Sequence, residues 1–399
     1  MASENQIPGQ VRDDMGDNTM TLVDKLGAAL AAAGIPGAVA MTGNRAGATG
    51  TLVIGADADG VPLAADSVFQ LASMTKAIVS VAAMQLVETG KLSLDAPLGT
   101  LLPELADARV LTGFGDDGSA RTRPAARPIT LRHLLAHTSG LGYDFVHADM
   151  ARARGPAGPP PPGTMSSLRT PLLFDPGDGW AYGVSTDWVG LAVEAASGQR
   201  LDAYVADHIT GPLGMTDTVF GLTDDMKTRL VANGARGEDG VVAPFPINIG
   251  GGAGEFISGG GGMSGTAADY MRFVRMLLNG GCLDGVRVLG AETVAEMSRN
   301  QIGDLRAGVM ETTMPAMSAR VEWFPEMIAG WGLGFLINPE PGGDGRAAGS
   351  LAWAGICNTY YWFDPESDVA AVLLMQLLPF ADPGALAVLS AFERGVYGV

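Results

Sequence analysis

Ser73-Met74-Thr75-Lys76 follows the apolar run Val68-Phe69-Gln70-Leu71-Ala72 and opens a helical pattern, with Ile78, Val79, Val81, Ala82, Leu86 and Val87 apolar and Gly90 as its stop. Residues three apart share a helix face, so Ser73 Oγ and Lys76 Nζ can meet at a helix start. A serine hydroxyl is a weak nucleophile until a base stands beside it. A lysine serves as a base only when desolvation or neighbouring charge lowers its pKa. A helix N-terminus adds backbone N–H groups and a positive dipole end, both suited to developing negative charge. Ser-x-x-Lys also arises by chance in exposed helices. Here, however, Lys76 enters the apolar run Ala77-Ile78-Val79, in a chain with four lysines, Lys25, Lys76, Lys91 and Lys227. What the motif means depends on its partners.

Upstream, Thr19 or Thr21 can cap a helix through Leu22, Leu26, Ala29, Leu30 and Ala33, stopped by Gly34-Ile35-Pro36. Two strand-like runs follow, Gly37–Thr42 and Thr51–Ile54. Residues 1–17 read as a flexible polar tail. Downstream, Pro97 and Pro103 make 92–102 a loop, and 116–127 reads as a polar surface excursion. Thr130 is placed to cap a helix through Leu131, Leu134 and Leu135 that ends at His137-Thr138-Ser139-Gly140-Leu141. Residues 151–163, rich in Pro and Gly, read as an extended, exposed loop able to overhang a cleft. Helical patterns run from Asp187 to Gly198, over Leu201–Ile209 and over Ala267–Leu278. Between the last two lies a glycine-dense stretch, Gly250 to Gly252, Gly254, Gly259 to Gly262 and Gly265, which demands tight turns or close backbone packing. The C-terminal third carries strand-like runs at Gly332–Ile337, Leu351–Ala354, Asn358–Phe363 and Val369–Leu374, then a closing helix over Pro383–Tyr397. Strands at both ends with helices between them imply one sheet built from both termini and a helical insertion, an α+β fold.

A chain of 399 residues, 47% hydrophobic and 17% charged, suits a globular enzyme with a large core. Its net charge of −18 disfavours nucleic acid and anionic membrane surfaces. No basic-then-apolar leader and no long apolar span appear, so the reading is cytoplasmic, with no membrane segment. Cys282 and Cys357 make no metal spacing and read as reduced and buried. His133 and His137 are four apart, but no acid or thiol completes a ligand set. Neither a metal nor a cofactor is implied, and oligomeric state is unspecified.

Three stretches are candidates to stand beside Ser73 and Lys76. Tyr182 can act as base or proton relay next to a cationic lysine, or can be an aromatic core residue beside Trp180 and Trp188. Trp353-Ala354-Gly355-Ile356 can bring a backbone N–H to a substrate carbonyl, or can be a plain core strand. His137 invites a Ser-His reading, but its place at a helix end favours a structural role.

Together these residues resemble the serine β-lactamase and penicillin-binding-protein superfamily, and most closely its class C branch, over about residues 20–397. The matching pieces, in the family's order, are Ser73-Met74-Thr75-Lys76, Leu134 to Leu141, Pro176-Gly177 with Trp180 and Tyr182, Gly211-Pro212-Leu213-Gly214-Met215, and Gly259 to Gly262 before the Tyr270 helix. The resemblance implies an antiparallel sheet with flanking helices from residues 18–72 and 268–399. It also implies a mostly helical domain from 73–267, with the active site between the two.

Two departures shape the function it implies. The family's Tyr-x-Asn element reads Tyr182-Gly183-Val184, and its Lys-Thr-Gly strand reads Trp353-Ala354-Gly355. No lysine follows Lys227 to grip a substrate carboxylate. Such departures look like the family VIII carboxylesterases. The resemblance therefore implies acyl transfer from a small-molecule ester. Ser73 is the nucleophile, and Tyr182 coupled to Lys76 is the base. The Ser73 and Ile356 N–H groups are the oxyanion donors, with Val184, Trp353, Ala354 and Gly355 at the substrate. An amide hydrolase, an acyltransferase, a weak β-lactamase or DD-peptidase using the same site, or a catalytically silent penicillin-recognition protein are the alternatives. The Gly-x-Ser-x-Gly elbow of α/β-hydrolases is absent from the chain.

Overall fold

Consecutive residues of a strand point to opposite faces, and Tyr361 and Trp362 use this to define the layers. The ring of Tyr361 lies 5.1 Å from that of Tyr270 in the Ala267–Leu278 helix. The ring of Trp362 lies 5.5 Å from that of Phe392 in the Pro383–Tyr397 helix. The sheet therefore sits between these helices, which is why Thr359–Asp364 is buried along its whole length. The structure is a computed structural model that describes residues 20–155, 158–247 and 254–399. The expected tail, 1–17, and Gly250 to Gly252 lie outside the described residues.

Seven strands form the main sheet, in the order Gly330–Trp331, Leu336–Ile337, Leu351–Gly355, Thr359–Asp364, Val369–Leu374, Gly37–Gly43 and Ala48–Gly55. Every neighbouring pair is antiparallel. Both ends of the chain thus build one α+β sheet, with Val39 opposite Leu374 and Val53. The Leu22–Ala33 helix packs along the Pro383–Tyr397 helix. Of the two threonines able to cap it, Thr21 does so: its Oγ1 accepts from Asp24 N–H, and Asp24 returns a bond to the Thr21 N–H, each at 3.2 Å.

Between the two sheet segments, the Thr75–Glu88 helix is the centre of the helical region. It is buried on nearly every side, from Thr75 to Met84 and again at Leu86, as a helix without a polar face must be. The Ser185–Ser197 helix packs against it and ends at Gly198, whose φ of +74° is the left-handed cap. Thr130 caps its short helix as expected, with the His133 N–H donating to Thr130 Oγ1 at 3.3 Å.

Some expectations are corrected. Residues 116–127 are not a simple excursion, because Ala120–Pro124 pairs with Arg109–Phe114 as a hairpin. The run Gly332–Ile337 is a strand only over Leu336–Ile337, and Gly330–Trp331 is its separate partner. The Pro-rich stretch is not extended from its start, because the Ala148–Ala153 helix runs into it. Leu201–Ile209 is α-helical only to Val205 and continues as a π turn, Ala206–Thr210. Both cysteines are free, but only Cys357 is buried; Cys282, in a two-residue strand, is half-buried.

Candidate active site

Ser73 lies in the 3₁₀ turn Ala72–Met74, two residues before the buried helix begins at Thr75. Three bonds fix that turn. Tyr270 O–H donates to the Met74 carbonyl at 2.8 Å, Leu71 N–H donates to the Met263 carbonyl at 3.0 Å, and Met263 N–H donates to Thr75 Oγ1 at 3.1 Å. Ala72, next to the serine, holds a φ of +46°, which a non-glycine residue rarely adopts.

The spacing that suggested a Ser73–Lys76 contact is realised. Lys76 Nζ donates to Ser73 Oγ at 3.1 Å, to Tyr143 Oη at 3.1 Å and to the Gly260 carbonyl at 2.7 Å. Burial by itself would lower the Lys76 pKa. Tyr143, Tyr182 and Asp187 outweigh it and hold the group above the ordinary lysine range. With all three N–H bonds engaged, it stands as an ammonium.

Tyr143 escaped the sequence reading. Its backbone N–H donates to the Tyr182 carbonyl at 3.1 Å, and its ring meets that of Tyr182 edge-on at 5.4 Å. Burial holds the Tyr143 phenol above its usual range, while Lys76 pulls the other way. Tyr182 is buried, with Lys76 Nζ 4.8 Å from its ring centre. Its hydroxyl accepts from Trp353 Nε1–H at 3.0 Å. Trp353 therefore has its one side-chain donor committed to Tyr182. Asp187, read from the sequence only as a helix residue, is buried in the same cluster and bonds to Ser258 and Gly260.

Ser73, Tyr143, Tyr182, Val184, Trp353, Ala354 and Ile356 all line one cavity of about 550 Å³. Pro159 to Pro162 form part of its wall, so the Pro-rich stretch does overhang the cleft. Gly355 does not line it. An added Cβ there would stand 2.3 Å from both the Leu71 carbonyl oxygen and Thr359 Oγ1. Its glycine serves to let the strand press against the turn that carries Ser73. His137 is buried against Tyr182 and Trp331, with ring centres 4.9 and 5.2 Å apart. Burial, then the charge of Lys76, keeps its imidazole neutral, and Nδ1 has no partner among the described residues. It packs behind the site and does not reach Ser73 by a hydrogen bond among those residues.

The arrangement is a serine at a helix start, a buried lysine bonded to it and two phenols around that lysine, facing a largely apolar cavity. The Beta-lactamase family model matches residues 22–393. The chain belongs to the beta-lactamase family. Lovastatin esterase of Penicillium rubens is 34% identical over 351 residues, 84% of this chain and 86% of its own length. Monacolin J acid methylbutanoyltransferase of Aspergillus terreus is 34% identical over 348 residues, 84% of this chain and 83% of its own. Among solved structures, unliganded simvastatin synthase from Aspergillus terreus superposes with a TM-score of 0.77 at 30% identity, over 94% of this chain and 97% of that one. This member of the beta-lactamase family is a serine hydrolase or acyltransferase, an enzyme acting on ester or acyl groups. No helix among its described residues is long and apolar enough to cross a membrane.

Proposed function

We propose that this protein hydrolyses neutral, short-chain carboxylic esters of small molecules through an acyl-serine on Ser73. The observation that carries the reading is the Ser73–Lys76 contact, 3.1 Å, opening into an apolar-walled cavity where Trp353 stands in place of a carboxylate-gripping lysine. Ser73 Oγ attacks the ester carbonyl as its proton passes to Tyr182 Oη, which acts in this step as a phenolate paired with the Lys76 ammonium. The backbone N–H groups of Ser73 and Ile356 receive the carbonyl oxygen as it becomes an oxyanion; losing one such donor typically costs about 3–4 kcal/mol. Tyr182 returns the proton to the departing alcohol. Water then gives a proton to the same Tyr182 oxygen as it attacks the acyl-serine, and Ser73 Oγ leaves with that proton as the acid is released.

The cavity volume of about 550 Å³ favours a second use of the intermediate. It holds more than a short acyl group, leaving room for an alcohol to replace water as acceptor. The family relatives named as a lovastatin esterase and a methylbutanoyltransferase divide along the same line.

Ser73→Ala is expected to abolish turnover of a short nitrophenyl ester while leaving the fold intact, and mass mapping of a fluorophosphonate adduct should place it on Ser73. A chromogenic cephalosporin is expected to be a far poorer substrate than that ester. Label on Ser139 or Ser264, or a cephalosporin cleaved as efficiently as the ester, would overturn the reading. Adding a primary alcohol during turnover and measuring the new ester tests the acceptor.

A further inference from the structure

The acyl-transfer reading gives work to Ser73, Lys76 and a phenol but leaves a buried acid unused. Asp187 sits near the start of the Ser185–Ser197 helix, 5% exposed. Its Oδ1 accepts from Ser258 Oγ–H at 2.7 Å and from Gly260 N–H at 2.9 Å. Gly260 then offers its carbonyl to Lys76 Nζ at 2.7 Å. One residue therefore stands between the acid and the lysine, bonded to each through opposite ends of its backbone. The packing admits nothing larger: an added Cβ on Gly260 would lie 2.6 Å from Asp187 Oδ2.

Burial pushes the Asp187 carboxyl above its usual range, while the charge of Lys76 and the bonds from Ser258 and Gly260 pull it back towards the charged form. A buried ammonium needs such a counter-charge, because taking it alone out of water costs several kcal/mol. The other titratable groups facing the pair are Tyr143, Tyr182 and His137, and the imidazole is neutral. Farther along the cavity wall, Asp144 and Arg154 answer each other at 3.6 Å. Among the described residues, Asp187 is thus the one carboxylate bonded to the residue that receives Lys76.

We propose that Asp187 is a positioning residue that fixes Lys76 through Gly260 and, as its buried counter-charge, keeps it an ammonium, so that a tyrosine phenolate and not the lysine takes the serine proton. The inference rests on the acyl-serine reading for its catalytic meaning but not for its test. With only four lysines in the chain, isotope-edited NMR of the lysine Cε positions resolves Lys76, assigned by its loss in Lys76→Ala.

In the wild type, Lys76 is expected to keep its ammonium shift as far into alkaline pH as the fold survives. In Asp187→Asn its titration should move down by about one pH unit or more, and the alkaline limb of kcat/KM should move with it. Ser258→Ala removes a hydrogen bond and no charge, so it should leave the titration in place and lower kcat by about tenfold or less. Should Asp187→Asn fail to fold, Asp187→Ser is measured instead. A wild-type Lys76 that is an amine at neutral pH, or an Asp187 variant that titrates as the wild type does, would overturn the proposal. An intact Ser73 adduct beside an unmoved titration would reject the role of Asp187 alone, whereas a missing adduct would reject the hydrolase reading.

Discussion

Lys76 spends its three N–H bonds on a serine, a phenol and a carbonyl, and the two tyrosines around it are consequently not equivalent. Tyr143 is bonded to the ammonium directly, while the Tyr182 hydroxyl is oriented by Trp353. Tyr182→Phe removes the proposed proton carrier and is expected to lower kcat/KM for an ester by about a thousandfold, within the range of general acid–base catalysis. Tyr143→Phe removes one bond to a charged group that keeps two others, so a loss of about tenfold to a hundredfold is expected. Steady-state kinetics on the two variants rank the phenols, and a deeper loss in Tyr143→Phe would transfer the base role to it. The same contacts explain what a sequence can and cannot tell. Ser73 and Lys76 were legible because three residues on a helix make a local geometry. Tyr143 meets Lys76 across 67 positions, and no periodicity records a meeting between a loop and a helix.

At the scale of elements, the strand Leu351–Gly355 and the turn at Ser73 act as one piece. Gly355→Ala would place a methyl 2.3 Å from the Leu71 carbonyl, a backbone atom that can yield only by moving the nucleophile turn. Overpacking of this kind costs about 1–3 kcal/mol. Displacements of about an ångström can lower turnover a hundredfold. Thermal unfolding and ester kinetics together check this, and an active variant of unchanged stability would show that the strand has slack. Strands such as Thr359–Asp364 were readable because continuous apolar sequence marks a strand covered on both faces. The Arg109–Phe114 and Ala120–Pro124 hairpin was not. Only Val110 in it is buried, so the alternation that reveals a half-buried strand never appears in its sequence. The Pro-rich stretch gave its position over the cleft but not its helical beginning, since Ala-Arg-Ala fits either state.

The molecule as a whole is tied at its edges by groups remote from the chemistry. Arg346 and Glu393 form an ion pair at 2.6 Å, each side chain 7% exposed, which links the region before the Leu351–Gly355 strand to the closing helix. Arg346→Ala leaves a buried carboxylate without its cation and is expected to cost about 3–5 kcal/mol, read from urea unfolding. Turnover well below the transition should be unaffected, since neither residue lines the cavity. The strand order carries a further consequence. Gly37–Gly43 pairs with Ala48–Gly55 on one edge and Val369–Leu374 on the other, so this early strand waits for a much later one before its inner edge is covered. Such a distant pairing is slow to form, and an apolar edge left open meanwhile invites self-association. Ser73 and Lys76 emerge early, but the wall that faces them, Trp353 to Ile356, emerges late. A chain cut short before Leu351 therefore carries Ser73 and Lys76 without the strand that closes the cavity around them, and any acyl transfer there waits for that strand to dock.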